Sequence, residues 1–285
     1  MFMNLHDRED MLGLSYRNEG KVDSVFHSHA YYEIYYFHGG SCNYLIGGNI
    51  YMLQPGDLIL MNGMTLHCPK VDTAVPYIRT TVHFEPAGLK PYLELPHAVN
   101  VLQPFQELKN CRLTLRGPEK EEAERILHEM SVHCKKDGLT AYNRLHLSFL
   151  DLLYFIHEQC QRTLRAGREF SSEKEKHVQR IVSFLEEHFA DDLHLEHLQE
   201  HLNFSKFYLS KIFKEITGLT IFQFVYRRRI NEAKTLFLHN PGHSVTDVCL
   251  QVGFKHLAHF SRLFKQQVGL TPEKYKKTVR EQLSS

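Results

Sequence analysis

From about Lys21 to Glu85 the chain alternates β-branched and aromatic runs (YYEIYYF, NYLIGGNIYML, DLILM) with Gly, Pro and Asn turns. Runs of that length and composition predict short strands, and several in succession predict a β-barrel or sandwich. After Gly117-Pro118 the period changes. Ala123, Ile126, Leu127 and Met130 recur at helical steps between charged residues, which predicts an amphipathic helix. A second helix is predicted from about Thr140 to Leu164 by the stripe Leu145, Phe149, Leu152, Leu153 and Ile156. It is long and apolar on more than one face, so it packs either within its own domain or against its copy in a homodimer. The stretch RAGREFSSEKEK has no apolar period. It places a linker at 166–173, between an N-terminal domain over 1–165 and a C-terminal domain over 174–285.

Beyond the linker the pattern is helical and repeats itself. In LHLEHLQEHLNFSKFYLSKIFKEITGL a short helix, a tight turn and a second helix follow one another, with Ser205 as N-cap and Gly218 as stop. Leu209, Ile212, Phe213 and Ile216 take the inward positions, which leaves Lys206, Phe207, Ser210 and Lys211 outside. After Asn240-Pro241-Gly242 the same order returns as HSVTDVCLQ, VGF and HLAHFSRLFKQQV, stopped by Gly269. There Phe260, Leu263, Phe264 and Val268 face inward, and Leu257, Ala258, Ser261 and Arg262 face outward. A helix from about Ile221 to Leu238 joins the copies rigidly. Two such recognition helices on one body enter successive major grooves about 34 Å apart.

Charge sharpens this picture. The 285 residues carry a formal net charge of only +1. Between Phe204 and Arg280, however, fourteen lysines and arginines stand against four acids, so a basic module is joined to an acidic remainder. That asymmetry is expected when one module alone meets nucleic acid. No apolar run approaches 18 residues, and NLHDRED after Met1 lacks the features of a secretory signal. Six cysteines without a C-x-x-C pair are expected to be reduced thiols. A cytoplasmic protein is the expectation.

The chemistry of the N-terminal half centres on HSHAYYEIYYFHGG. His27, His29 and Glu33 fall on one face of a continuous strand, and Tyr31 and Tyr35 share that face. His67 follows a Gly-Asp turn. These residues form either a polar effector pocket, in which the tyrosines would suit a sugar, or a divalent-metal site built from His27, His29, Glu33 and His67.

The C-terminal residues resemble the AraC/XylS family of transcription regulators. Gly253-Phe254, Phe260, Phe264-Lys265, Gly269, Pro272 and Tyr275 stand at the family's spacing, as does RRRINEAKTLF. The likeness covers about 100 residues. Where the family usually carries alanine in the first helix of each unit, this chain has Gln199 and Cys249, and Gln199 is expected at a tightly packed helix crossing. By resemblance, the first unit contacts DNA with Ser205, Lys206, Phe207, Ser210 and Lys211, and the second with Leu257, Ala258, His259, Ser261 and Arg262. Lys211 and Arg262 have guanine-reading chemistry, and Phe207 and Ala258 suit a thymine methyl. Arg227, Arg228 and Arg229 are expected to contact phosphate or to be structural.

The histidine segment is similar to cupin motifs, with Gly40 after the glutamate, although Asn62 and Met64 stand where proline and glycine are usual. The fold class implied is α+β: a cupin-like β-barrel followed by helices, then an all-α domain with two helix-turn-helix units. Promoter DNA, a small-molecule effector, RNA polymerase and a second copy of the chain are the implied partners. No cofactor is required, and a divalent metal in the barrel stays open. The rival readings are a metal-dependent cupin enzyme with a DNA anchor and a nonspecific architectural DNA binder.

Overall fold

Strand β2 (Tyr32–Gly39) is apolar on both faces, and each face has its own core. The computed structural model describes residues 12–20, 27–29, 31–62, 65–108, 110–163, 172–240 and 242–282. Beside β2 lie β1 (Leu12–Asn18), β3 (Cys42–Ile46), β4 (Asn49–Met52), β5 (Asp57–Met61), β6 (His67–Val71), β7 (Ile78–Phe84) and β8 (Cys111–Thr114). They form two antiparallel sheets, one ordered β1-β7-β2-β5-β8 and the other β4-β3-β6.

Period two along the strands sorts the layers. Tyr35 and Phe37 on β2, with Ile59 and Met61 on β5, meet Cys42, Tyr44, Ile46 and Tyr51 between the sheets. Ile34, Tyr36, Leu58, Leu60, Val82 and Phe84 point the other way, onto two long helices. These are α3 (Gly117–Cys134) and α4 (Leu139–Thr163), reached through the short helices α1 (Lys90–Leu93) and α2 (Gln103–Glu107). The predicted stripe from Ala123 to Met130 and that from Leu145 to Ile156 fill this core. Two strands lie outside the stretch read as β from sequence. β1 precedes it and β8 follows the short helices; both are edge strands, and β8 has four residues, too few to show a period.

The outer face of the smaller sheet is also covered. Leu45 and Ile50 share a core with α5 (Glu173–His188), α6 (Leu195–Leu202), α7 (Lys206–Thr217) and the start of α8 (Ile221–His239). Polar contacts frame this seam. Gln179 accepts from the Ile50 amide at 3.0 Å and donates to the Gly48 carbonyl at 2.6 Å, and Asn43 donates to the Ile216 carbonyl at 3.1 Å. Arg112 on β8 lies 3.4 Å from the fully buried Glu175 on α5. The linker expected at 166–173 falls mostly outside the described residues, and of its last two residues Ser172 is the N-cap of α5 and Glu173 its first residue.

Helix α8 serves two cores. Ile221, Phe224 and Val225 pack with the first helix-turn-helix unit. Ile230, Ala233 and Phe237 pack with α9 (Val245–Gln251) and α10 (Leu257–Val268), against which α11 (Pro272–Gln282) also rests. One continuous helix thus fixes the two units relative to each other.

Candidate nucleic-acid interface and effector cluster

Local signals set both recognition helices. Ser205 accepts from the Tyr208 amide and starts α7, while Gly218 and Gly269 end α7 and α10 with positive φ. Leu209, Ile212, Phe213, Ile216, Phe260 and Phe264 are buried, while Leu263 and Val268 are half-buried. On the opposite face Ser205, Phe207, Ser210 and Lys211 of the first unit are exposed, as are Leu257, Ala258 and Arg262 of the second. Phe207 is 76% exposed, with the Lys211 ammonium 6.0 Å from its ring centre. Lys206 is half-buried and paired with Glu196. Ser261 and His259 are half-buried, the latter ring held edge-on by Tyr226 and Phe254. Burial, with the charges of Arg262, His256 and Arg229, lowers the pKa of His259.

Two of the three arginines in the run on α8 turn inward. Arg229 is 7% exposed and donates to three carbonyls, those of Phe189 (2.6 Å), Gly253 (2.6 Å) and Asp191 (2.7 Å). The first two belong to different units, so this guanidinium staples the units together. Arg228 binds Glu186 and Glu232, both at 2.7 Å. At Gly253 (φ +89°) a Cβ would lie 2.3 Å from the Ala190 carbonyl oxygen, so the second turn packs directly on the loop after α5. The expectation for Gln199 is corrected. Cys249 is buried in its unit's core, but Gln199 is exposed, because Leu198 fills the inward position and the first unit turns through Asn203 at φ 58°.

In the N-terminal half, His27 and His29 do not continue the strand of Glu33. His27 exchanges backbone hydrogen bonds with His67 at the start of β6, whereas Glu33 lies in β2, so the chain changes sheet between them. The side chains still converge. Glu33 is 3% exposed, and its Oε2 lies 3.1 Å from His29 Nε2, 3.2 Å from His83 Nε2 and 3.9 Å from His67 Nε2. The His27 and His67 rings are 4.1 Å apart. His83 was absent from the sequence motif; it enters because it pairs directly opposite Glu33 across β2 and β7. The signal available was its place between inward-facing Val82 and Phe84, which sends His83 to the other face.

Burial raises the Glu33 carboxyl, but hydrogen bonds from His29 and His83 and the charges of His67 and His83 outweigh it, holding the group well below the usual carboxylate range. The same hydrogen bond raises His83. Burial lowers His67 to about 4. Its Nδ1 lies 2.8 Å from the Thr65 carbonyl oxygen, which can only accept, so Nδ1 carries the proton. Its Nε2 is therefore a buried lone pair without a hydrogen-bond partner. Donor atoms of His27, His29 and His67, and of His29, Glu33 and His83, fall within 4.8 Å of one another, a spacing suited to a metal ion. Tyr31 is half exposed beside His29 and His83. Tyr35 instead lies in the packed interior, its hydroxyl 2.6 Å from that of Tyr77.

Two antiparallel sheets bearing a polar cluster, followed by tandem helix-turn-helix units, define a two-part architecture in which a sheet domain is joined to a DNA-binding one. Residues 12–133 match the AraC-like ligand binding domain, and residues 198–278 match a helix-turn-helix domain. The chain belongs to the AraC/XylS family. An uncharacterized HTH-type transcriptional regulator of Staphylococcus aureus (strain COL) is 31% identical over 147 residues, which cover 52% of this chain and 19% of that protein. The match thus spans about a fifth of this relative's length. Regulatory protein PocR of Salmonella typhimurium is 29% identical over 36% of this chain and 34% of its own. Among solved structures, the C-terminal domain of AraT, a response regulator from Geobacillus stearothermophilus, is 30% identical, covers 38% of this chain and 88% of its own, and has a TM-score of 0.36. Apo ToxT from Vibrio cholerae is 12% identical over 95% of this chain and 98% of its own, with a TM-score of 0.41. The matching family models and the curated relatives are those of transcription regulators, so the cupin-enzyme reading falls away.

Proposed function

We propose that the chain is a sequence-specific transcription regulator whose N-terminal half receives a small-molecule effector and controls how α7 and α10 meet promoter DNA. One observation carries the reading: two recognition helices with solvent-facing polar and basic side chains are held on a single rigid body by α8 and Arg229. Phe207, Ser210 and Lys211 serve the first half of the site and Leu257, Ala258 and Arg262 the second. Ser205, Lys206, His259 and Ser261 orient the helices at the backbone. The effector meets the chain at His27, His29, Tyr31, Glu33 and His67. Tyr35 supports that face from the interior.

RNA polymerase and a second copy of the chain complete the working assembly, in the cytoplasm. No helix among the described residues is long and apolar enough to cross a membrane. The exposed stripe Leu139, Leu147 and Tyr154 on α4 supports the homodimer. A second reading of the effector is a divalent metal ion. The buried, unpartnered Nε2 of His67 beside an ionised carboxylate favours it, since a neutral imidazole held through its other nitrogen is a ready ligand. Genome-wide footprinting tests the main proposal. Discrete sites beside a few promoters, with selectivity lost in Arg262→Ala, are expected; uniform coverage would overturn it.

A further inference from the structure

The effector cluster and the DNA-binding half meet at one residue. Ser28 lies between His27 and His29, and its hydroxyl faces α8 instead of the cluster. It donates to Asn231 Oδ1 at 2.9 Å and accepts from Lys234 Nζ at 2.7 Å. Successive side chains on extended backbone point to opposite sides. Two imidazoles on one side and a hydroxyl on the other therefore move as one unit. The helix they reach is the one shared by both helix-turn-helix cores. Asn231 is 8% exposed, and burial lowers the pKa of the Lys234 ammonium, so this is an enclosed contact and not a solvated surface pair.

In this conformation His29 and His83 spend their Nε2 atoms on the Glu33 carboxylate. A divalent ion seated in the cluster would take each donor at about 2.0–2.1 Å, replacing the contacts that His29 Nε2 and His83 Nε2 now make to Glu33 Oε2 at 3.1 and 3.2 Å. Glu33, His67 and His83 are anchored in strands, and His67 is further fixed by the Thr65 carbonyl. His27 and His29 lie outside the named strands. Adjustment to an ion is therefore made by His27 and His29, and Ser28, between them, is shifted with them out of its contact with α8.

We infer that the His27–Ser28–His29 run is a relay, in which capture of a divalent transition-metal ion by the histidine and glutamate cluster withdraws Ser28 from Asn231 and Lys234 and loosens the DNA-binding half from the sensor. The relay rests on the metal reading of the effector site, and His83, opposite Glu33, belongs to its ligand set. Linkage makes the idea measurable. If metal binding breaks the latch, breaking the latch by mutation must tighten metal binding by the same factor.

The test is zinc affinity of the full-length protein, measured by competition with a chromophoric chelator, in the wild type, Asn231→Ala, Lys234→Met and His67→Gln. Hydrogen–deuterium exchange of α8 and of β3–β4 is followed with and without zinc. The relay expects zinc to bind about tenfold more tightly to Lys234→Met and Asn231→Ala, with binding lost in His67→Gln. It also expects zinc to speed exchange along the seam of the wild type. Zinc binding with equal affinity in the latch variants and unchanged wild-type exchange would overturn the relay while leaving the metal reading intact. Absence of zinc binding to the wild type would overturn both. The exchange measurement uses the wild type alone, so it decides the matter even if a latch variant fails to fold.

Discussion

Arg229 shows how much one side chain contributes to this architecture. Its guanidinium donates to three backbone carbonyl oxygens and lies 5.6 Å from the centre of the Phe254 ring. A planar fork with fixed donors can span such a set, but a lysine ammonium cannot. Arg229→Met leaves buried carbonyls unpaired and is expected to lower stability by on the order of 3 kcal/mol, with Arg229→Lys restoring little; urea unfolding of both variants checks this. His38 makes a different prediction. Its side chain is 3% exposed, bonded to Arg17 and Thr80, and burial together with the Arg17 charge lowers its pKa to about 4. The unfolded chain takes up this proton near pH 6.5, so stability should fall as pH drops from about 6.5 toward 4. His38→Gln should flatten part of that slope. An unchanged slope, read by chemical denaturation at pH 7, 6 and 5, would exclude His38 as a contributor. The arginine run and the histidines were visible in the sequence, but their partners were not, since those carbonyls and hydroxyls come from 24 to 42 residues away.

Elements in the C-terminal half follow local rules closely. Ser205, Thr220 and Ser244 each cap a helix, the last two in reciprocal capping boxes with Gln223 and Asp247. The terminating glycines look alike in the sequence, yet their surroundings differ from that of the turn glycine. Gly269 has open space where a Cβ would be, whereas at Gly253 that Cβ would meet the Ala190 backbone. Gly269→Ala is therefore expected to cost about 1 kcal/mol from its positive φ alone. Gly253→Ala should cost at least about 3 kcal/mol, because backbone must shift as well. Thermal melts of the two variants should separate clearly, and equal melting temperatures would mean that the units are not packed through this turn. The strands were less legible at their ends. β1 and β8 pair with β7 and β5 as edge strands, and β8, with four residues, holds no period of its own.

At the scale of the whole molecule, the smaller sheet is sandwiched between the larger sheet and the DNA-binding half, so sensor and reader share a core. The opposite flank, on α4, presents Leu139, Leu147 and Tyr154 to solvent, with Leu147 at 64%. A dimer through this stripe should appear in sedimentation at micromolar concentration and dissociate in Leu147→Glu; a wild-type monomer would count against it. Much of this organisation is written along the chain. Helical repeats, caps and stops and the basic C-terminal charge are consequences of local periodicity and residue chemistry, which neighbouring residues alone can specify. What the tertiary structure decided are the pairings between distant segments: His83 opposite Glu33, Arg229 across two units, Ser28 on α8, Gln199 in solvent, and Leu45 and Ile50 covered by helices. Strand register and domain docking are set by the burial of whole faces against partners from 50 to 203 residues away, and no short window of the sequence contains both sides of such a contact.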